Sequence, residues 1–146
     1  ETMARKHPYL NFNFLLELGS LTRAAFRECS GFDSTIDVTE YREGGDNRTP
    51  RKLAGQTKHS NITLKWGITD DMELYNWHQD AVSGDVKRMD GAIVVVDRKN
   101  NDTVLARWEF TDAWPTKYTA PDFNAAGSDV AVETLELAHE GLRRVQ

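Results

Sequence analysis

The chain has little of several features that would place it in a special class of protein. It contains one cysteine, Cys29, in 146 residues, which rules out an internal disulfide framework and favours a reducing compartment. No run of about 18 apolar residues occurs, so no membrane-spanning helix is predicted. The start has no apolar stretch of the kind that a secretion signal needs, so we expect no signal peptide.

What the sequence does contain is typical of one soluble globular domain covering residues 1–146. Hydrophobic residues make up 39% and charged residues 28% of the chain, and a chain of this length buries about 70% of its unfolded surface. The net charge of −5 argues against binding of nucleic acid or an anionic membrane by the chain as a whole. No internal repeat or low-complexity tract is present.

Charge is unevenly distributed along the chain. From Glu40 to Lys58, five basic residues stand against three acidic ones, which gives +2 and leaves −7 for the remainder. A basic segment on an acidic body is a pattern suited to self-association.

Alternating apolar residues predict about seven strands and a mainly antiparallel fold. The clearest alternation places Ile62, Leu64 and Trp66 on one face. The predicted strands cover residues 11–18, 25–30, 36–41, 61–66, 91–97, 103–110 and 130–142. Between the last two of them, Trp114-Pro115 predicts an irregular connection.

One helix is predicted, over residues 71–81. Asp70 and Glu73 form a capping-box pattern at its start, and Leu74 and Trp77 share a face that we expect to be buried. The fold class is therefore mainly β, an antiparallel sandwich or small barrel with one flanking α-helix.

A long polar loop, residues 42–58, is predicted to be the working part of the chain. It is longer than compact domains usually tolerate without a function, and binding function concentrates in loops. Its predicted contact residues are Arg42, Glu43, Gly44, Gly45, Asp46, Asn47, Arg48, Arg51, Lys52 and Lys58.

No catalytic residue, metal ligand or cofactor is predicted. The four histidines, His7, His59, His78 and His139, have no spacing that would place two on one helical face. Residues 97–102 fail as a calcium loop, because Lys99 occupies the third ligand position. Gly44-Gly45 lacks the spacing of a phosphate-binding loop, and Cys29 is interpreted as a small core residue.

Several motifs in order along almost the whole chain resemble the inner tube protein of contractile injection systems. The motifs are Arg5-Lys6-His7-Pro8-Tyr9-Leu10-Asn11-Phe12, Glu40-Tyr41-Arg42-Glu43-Gly44, Lys52-Leu53-Ala54-Gly55, Asn61-Ile62-Thr63-Leu64-Lys65, Leu74-Tyr75-Asn76-Trp77, Ala113-Trp114-Pro115 and Val132-Glu133-Thr134-Leu135-Glu136-Leu137. The family includes tail tube proteins of contractile phages and the tubes of extracellular phage-tail-like particles. The ring protein of type VI secretion is a more distant relative.

The resemblance implies a structural, non-enzymatic protein that stacks as hexameric rings into an inner tube. Strands would join across subunits into a barrel that lines the tube, which carries DNA or protein cargo. The implied partners are other copies of the chain, a sheath, a baseplate and tube-terminating proteins, without membrane insertion by the subunit. The protein would be made in a bacterial cytoplasm and assembled into a phage tail or injection particle.

Two alternatives remain open on the sequence alone, a free-standing β-domain that binds a ligand and a specialised ring at the tube end. For the tube subunit, we expect the basic loop to stack one ring on the next. Its acidic counterpart is expected around Glu133, Glu136 or Asp122.

Overall fold

The computed structural model describes residues 12–19, 21–23, 26–41, 44, 50–68, 71–97, 99, 103–122 and 131–146. Its elements are β1 (Phe12–Leu18), β2 (Leu21–Arg23), β3 (Phe26–Ser30), β4 (Ser34–Tyr41), β5 (Arg51–His59), β6 (Ile62–Gly67), α1 (Glu73–Val82), β7 (Met89–Asp97), β8 (Thr103–Thr119), β9 (Val132–Ala138) and β10 (Gly141–Arg144). Among these elements, no helix has the length and apolar character needed to cross a membrane.

The fold is mainly β and antiparallel, as predicted. Eight strands form one sheet in the order β2-β1-β7-β8-β9-β6-β3, with β10 paired to β8 beside this path. The far end of the sheet returns towards its start, because β3 lies close to β1. No strand pairing joins β3 to β1 or β2 in the described part of the chain, so the barrel-like sheet stays open.

Strand β8 is the corner between the two halves of this sheet. Its first part pairs with β7 and β10, and its second part pairs with β9. At the corner Asp112 has a φ of 50°, and its backbone N–H donates to Asp90 Oδ1 at 2.9 Å. Between the pairs Met89–Ala113 and Gly91–Phe110, strand β8 has one residue more than β7. This is a β-bulge, which bends the strand and increases its twist.

The irregular connection predicted at Trp114-Pro115 is wrong, because both residues lie within β8. Pro115 pairs in register with Leu137 of β9, next to a second register shift. The described part of the chain places a strand on only one side of this part of β8, a position where a strand tolerates a residue without an N–H donor.

The core lies between the two halves of the sheet. It combines Leu16, Leu18, Ile93 and Phe110 from one half with Ile62, Leu64, Trp66, Leu135 and Leu137 from the other. The predicted alternation in β6 is confirmed, because Ile62, Leu64 and Trp66 are all buried. Apolar burial from both halves is the main stabilising term for such a fold.

The helix is confirmed in type and buried face, with bounds Glu73–Val82 rather than 71–81. The predicted cap residue Asp70 lies outside the described residues. The Asp71 carboxylate accepts the Glu73 N–H at 3.0 Å. The helix packs on β8 and buries Leu74 and Trp77.

The C-terminal strand predicted over residues 130–142 is two strands, β9 and β10. The break at residues 139–140 lies opposite the bulge at Asp112, and the Glu140 N–H donates to the Thr111 carbonyl at 2.9 Å. The two strands therefore follow the same side of β8 around its bend. The three-residue strand β2 was also not predicted.

Candidate functional site

Residues 51–58 of the predicted loop lie in a strand, which corrects the boundary at residues 42–58. Residues 51–59 form β5, which pairs with β4 as a separate two-stranded sheet. We call β4 and β5 the arm. Arg51, Lys52 and Lys58 lie on β5 and are exposed, and Gly44 lies in a turn. The remaining predicted contact residues, Arg42, Glu43, Gly45, Asp46, Asn47 and Arg48, lie outside the described residues.

The arm exposes large apolar side chains on both of its faces. The register places Ile36 and Val38 on one face and Tyr41 and Leu53 on the other. Their exposed fractions are 55% for Ile36, 62% for Val38, 49% for Tyr41 and 51% for Leu53. A two-stranded hairpin is marginally stable alone, and so much exposed apolar surface on both faces is typical of an interaction element.

The arm joins the body through two short connections, residues 31–33 and 60–61. Gly31 has a φ of +96°, and a Cβ there would collide with the Asn61 carbonyl of the other connection. The Ser60 N–H donates to the Asp33 carbonyl at 3.4 Å, which also ties the two connections together. The base of the arm is therefore narrow and defined by close backbone contact.

Two histidines meet at the base of the arm. His59, the last residue of β5, and His139, after β9, have ring centroids 5.3 Å apart. His139 Nε2 lies 3.0 Å from the Ser60 carbonyl, so this nitrogen donates. Burial lowers the pKa of His139 below its ordinary value and His59 acts in the same direction, whereas the bond to Ser60 opposes them. Sequence reasoning missed this pair, because no spacing connects the two residues.

The lowered pKa of His139 predicts a loss of stability in acid. The unfolded chain has the ordinary pKa of about 6.5, so it binds more protons than the folded state as the pH falls. This contribution to stability is present above the unfolded pKa and is lost as the pH falls through the folded pKa. We expect the urea midpoint to fall between pH 7 and pH 5, and to fall less in His139→Gln, whose amide can still donate to Ser60. A parallel fall in both proteins would contradict a role for His139.

The three acidic residues suggested as counterparts of the arm have different surroundings. Glu133 accepts the Tyr118 hydroxyl at 2.6 Å, and burial, followed by this bond, raises the pKa of Tyr118 to about 12. Glu136 lies 4.0 Å from Lys117 Nζ. Asp122 is exposed. The Glu133 carboxylate is therefore already hydrogen-bonded within its own protomer, which makes Glu133 a less favourable partner for the arm.

In the described part of the chain, metal-ligating and nucleophilic side chains do not come together in one site. No set of three or more His, Cys, Asp or Glu side chains there is arranged to hold a metal ion. Cys29 packs partly buried against the core, and burial raises the pKa of its thiol to about 12. A thiol held so far from ionisation is a poor nucleophile.

The model of one protein family spans almost the whole chain. The family described as T4-like virus tail tube protein gp19 matches residues 10–143. The chain belongs to this tail tube family. Its role is that of a structural tube component. None of the curated proteins matches the chain.

Solved structures agree with this family. A chain in the extended sheath–tube complex of the extracellular contractile injection system PVC is 28% identical, with a TM-score of 0.84 over 96% of this chain and 93% of that chain. A chain in the PVC sheath/tube terminator is 28% identical, with a TM-score of 0.85 over 98% and 100%. Hcp1 from Flavobacterium johnsoniae, at 17% identity and a TM-score of 0.56 over 90% and 94%, shares the fold alone.

Proposed function

We propose that six copies of this chain form a ring and that rings stack into the inner tube of a contractile particle. The match of the tail tube family to residues 10–143 carries the proposal. The tube structures that share the fold at 28% identity support it. The tube would be a conduit for DNA or protein cargo.

The open sheet gives the ring a physical basis. Edge strands expose unpaired backbone groups that pair readily with another chain. In this chain β2 and β3 end the sheet, and β3 has no second strand partner among the described residues. We propose that strands of neighbouring subunits continue the sheet into a closed barrel that lines the tube. Closure around the ring removes the free edges.

The proposed partners are a sheath around the tube, a baseplate and a terminating cap. The related chains come from structures described as a sheath–tube complex, a sheath/tube terminator and a tube-terminating cap. The terminator and cap structures also favour a second candidate, a specialised ring at the tube end. The proposed location is a phage tail or a phage-tail-like particle assembled in a bacterial cytoplasm.

The segment from Arg42 to Lys58, which includes the strand β5 of the arm, is proposed to stack one ring on the next through its basic residues. We expect the triple variant Arg48→Glu, Arg51→Glu and Lys52→Glu to fold normally and to form no long tubes, because like charges would then face the acidic body. Circular dichroism checks the fold, and negative-stain microscopy measures tube length.

A charge-preserving variant, Arg48→Lys, Arg51→Lys and Lys52→Arg, is the matched control and should assemble. Tubes of normal length from the triple glutamate variant would show that the arm does not stack rings. Monodisperse monomers of the unaltered protein at high concentration, with no rings by microscopy, would contradict the tube proposal itself.

A further inference from the structure

Two imidazole rings join the arm to the body. His59 is the last residue of β5, His139 follows β9, and their ring centroids are 5.3 Å apart. The ring of His139 also lies near the buried Phe110, with 6.5 Å between the ring centroids. The pair therefore links the end of the arm to the core of the body.

His139 also holds the connection that follows the arm. Its Nε2 donates to the Ser60 carbonyl at 3.0 Å, so Nδ1 is the nitrogen that would take up a further proton. The Nδ1 atoms of His139 and His59 are both buried, and neither has a hydrogen-bond partner of good geometry in the described part of the chain. A proton on His139 Nδ1 would thus create a buried charge beside a second imidazole, which is unfavourable.

The nearest carboxylate on the body side is already paired with cations. Beside His59 lies a cavity of about 310 Å³ that Glu109 and Arg143 also line. The Glu109 carboxylate lies 3.0 Å from Arg107 Nε and 3.9 Å from Arg143 Nη2. Two arginines therefore compete with a protonated His59 for the charge of Glu109.

The charged residues next to the pair in sequence have partners as well. Lys58 Nζ lies 3.1 Å from Asp37 Oδ2. Glu140 forms a side-chain hydrogen bond with the Asp112 carboxyl, which raises the pKa of Glu140. These charges are directed to partners other than the two histidines.

Few other contacts fix the direction of the arm. Among the described elements, β4 and β5 make extensive contact only with each other. Between the two connections, the Ser60 N–H donates to the Asp33 carbonyl and the Ser60 hydroxyl donates to the Asp33 carboxylate, both at 3.4 Å. These bonds are longer than usual. Because the arm adds no residue to the core in the described part of the chain, its base can open without unfolding the body.

We propose that the His59–His139 contact is a pH-sensitive switch, which fixes the arm to the body near neutral pH and releases it in acid. The closed base keeps His139 Nδ1 unprotonated, whereas an open base exposes both rings to water, where they bind protons readily. Acid therefore favours the open base. Burial and His59 lower the pKa of His139 and outweigh the bonds to Ser60 and Gly141, which agrees in sign. The switch acts within one copy and does not depend on the tube proposal.

The distance between the arm and the body measures the state of the switch. In a Cys29→Ala background, spin labels at the exposed positions Thr39→Cys on β4 and Val82→Cys on α1 report this distance by pulsed electron paramagnetic resonance. Labelled copies are diluted into unlabelled protein, so that only distances within one copy are measured. From pH 7.5 to pH 5, a second or broader distance should appear. The ratio of open to closed base should rise by up to about 30-fold, the limit for one histidine with an ordinary pKa of about 6.5.

Three controls isolate the histidine pair. His139→Gln should give the same distance at both pH values, because its amide still donates to Ser60 and takes up no proton. His78→Gln removes a histidine of α1 instead and should keep the acid response. Labels at Val82→Cys and Val104→Cys, both exposed positions of the body, should report one distance at both pH values.

The possible failures are distinct. An arm–body distance at pH 5 equal to that at pH 7.5 would overturn the switch. An undiminished acid response in His139→Gln would overturn it too, because another group would then carry the response. A changed distance between positions 82 and 104 would show that acid unfolds the body instead of releasing the arm. None of these results bears on the tube proposal, which rings and tubes at neutral pH test separately.

Discussion

Replacing Gly91 with alanine is expected to destabilise the protein strongly, because it adds a methyl group inside the packed core. Gly91 lies in β7 between Leu18 of β1 and Phe110 of β8. A Cβ there would lie 2.7 Å from Phe110 Cζ and 2.9 Å from Leu18 Cδ2, and would also collide with the Glu17 carbonyl. Overpacking a core costs about 1–3 kcal/mol or more, and the backbone collision places Gly91→Ala at the upper end.

Urea unfolding measures this effect as a lower midpoint. Gly44→Ala is the matched control, because a Cβ at Gly44 meets no atom within 4 Å, and it should leave the midpoint unchanged. Equal midpoints for Gly91→Ala and the unaltered protein would show that β1 and β8 can move apart, contrary to the close packing of the core.

The second large effect is expected from Trp77→Ala. Trp77 is 6% exposed, and its indole Nε1 donates to the Lys87 carbonyl at 2.8 Å. Removing a buried tryptophan side chain leaves a cavity and costs about 3–5 kcal/mol. The unfolding free energy from urea titration should fall by that amount.

Two further variants separate the causes of this loss. Trp77→Phe keeps most of the packing and loses the hydrogen bond to Lys87, so it should cost about 1–3 kcal/mol because a carbonyl is left without its donor. Val82→Ala, at an exposed position of the same helix, should change little. A loss below about 1 kcal/mol for Trp77→Ala would mean that α1 contributes little to the stability of the protomer.

Local patterns predicted the parts of the fold in which one face of an element is buried. The alternation of Ile62, Leu64 and Trp66 identified β6, and the periodicity of Leu74 and Trp77 identified α1, because burial on one side imposes these patterns. The bounds of both elements differ from the structure by one or two residues at either end.

The second strand of the arm, β5, could not be predicted in this way, because it contributes no residue to the core. The first strand was predicted over residues 36–41 and spans Ser34–Tyr41. Strand β5 reads Arg51 to His59 with Leu53 as its only large apolar residue, which is the composition of a loop. Its strand conformation comes from backbone pairing with β4. Backbone pairing of an exposed strand leaves no periodic apolar signal in its sequence.

The course of β8 could not be predicted from local sequence either, because its pairing with β9 determines it. Pro115 is a strong breaker signal, yet β8 continues to Thr119 because β9 pairs along it. The bend lies instead at the left-handed backbone of Asp112, which no local pattern marked. The His59–His139 contact likewise joins segments far apart in sequence, so only the fold brings the two rings together.

The order of strands in the sheet has a consequence for how the chain folds. Strand β1 comes first in the chain but pairs with β7. Leu16 can therefore meet its cross-strand partner Ile93 only after a long segment of chain has closed into a loop. Contacts between residues far apart in sequence slow folding, because a long loop must close before they form. The two strands of the arm are close in sequence, and hairpins form within about 1–10 μs. The segment that we propose joins copies therefore pairs faster than the strands of the body that it joins.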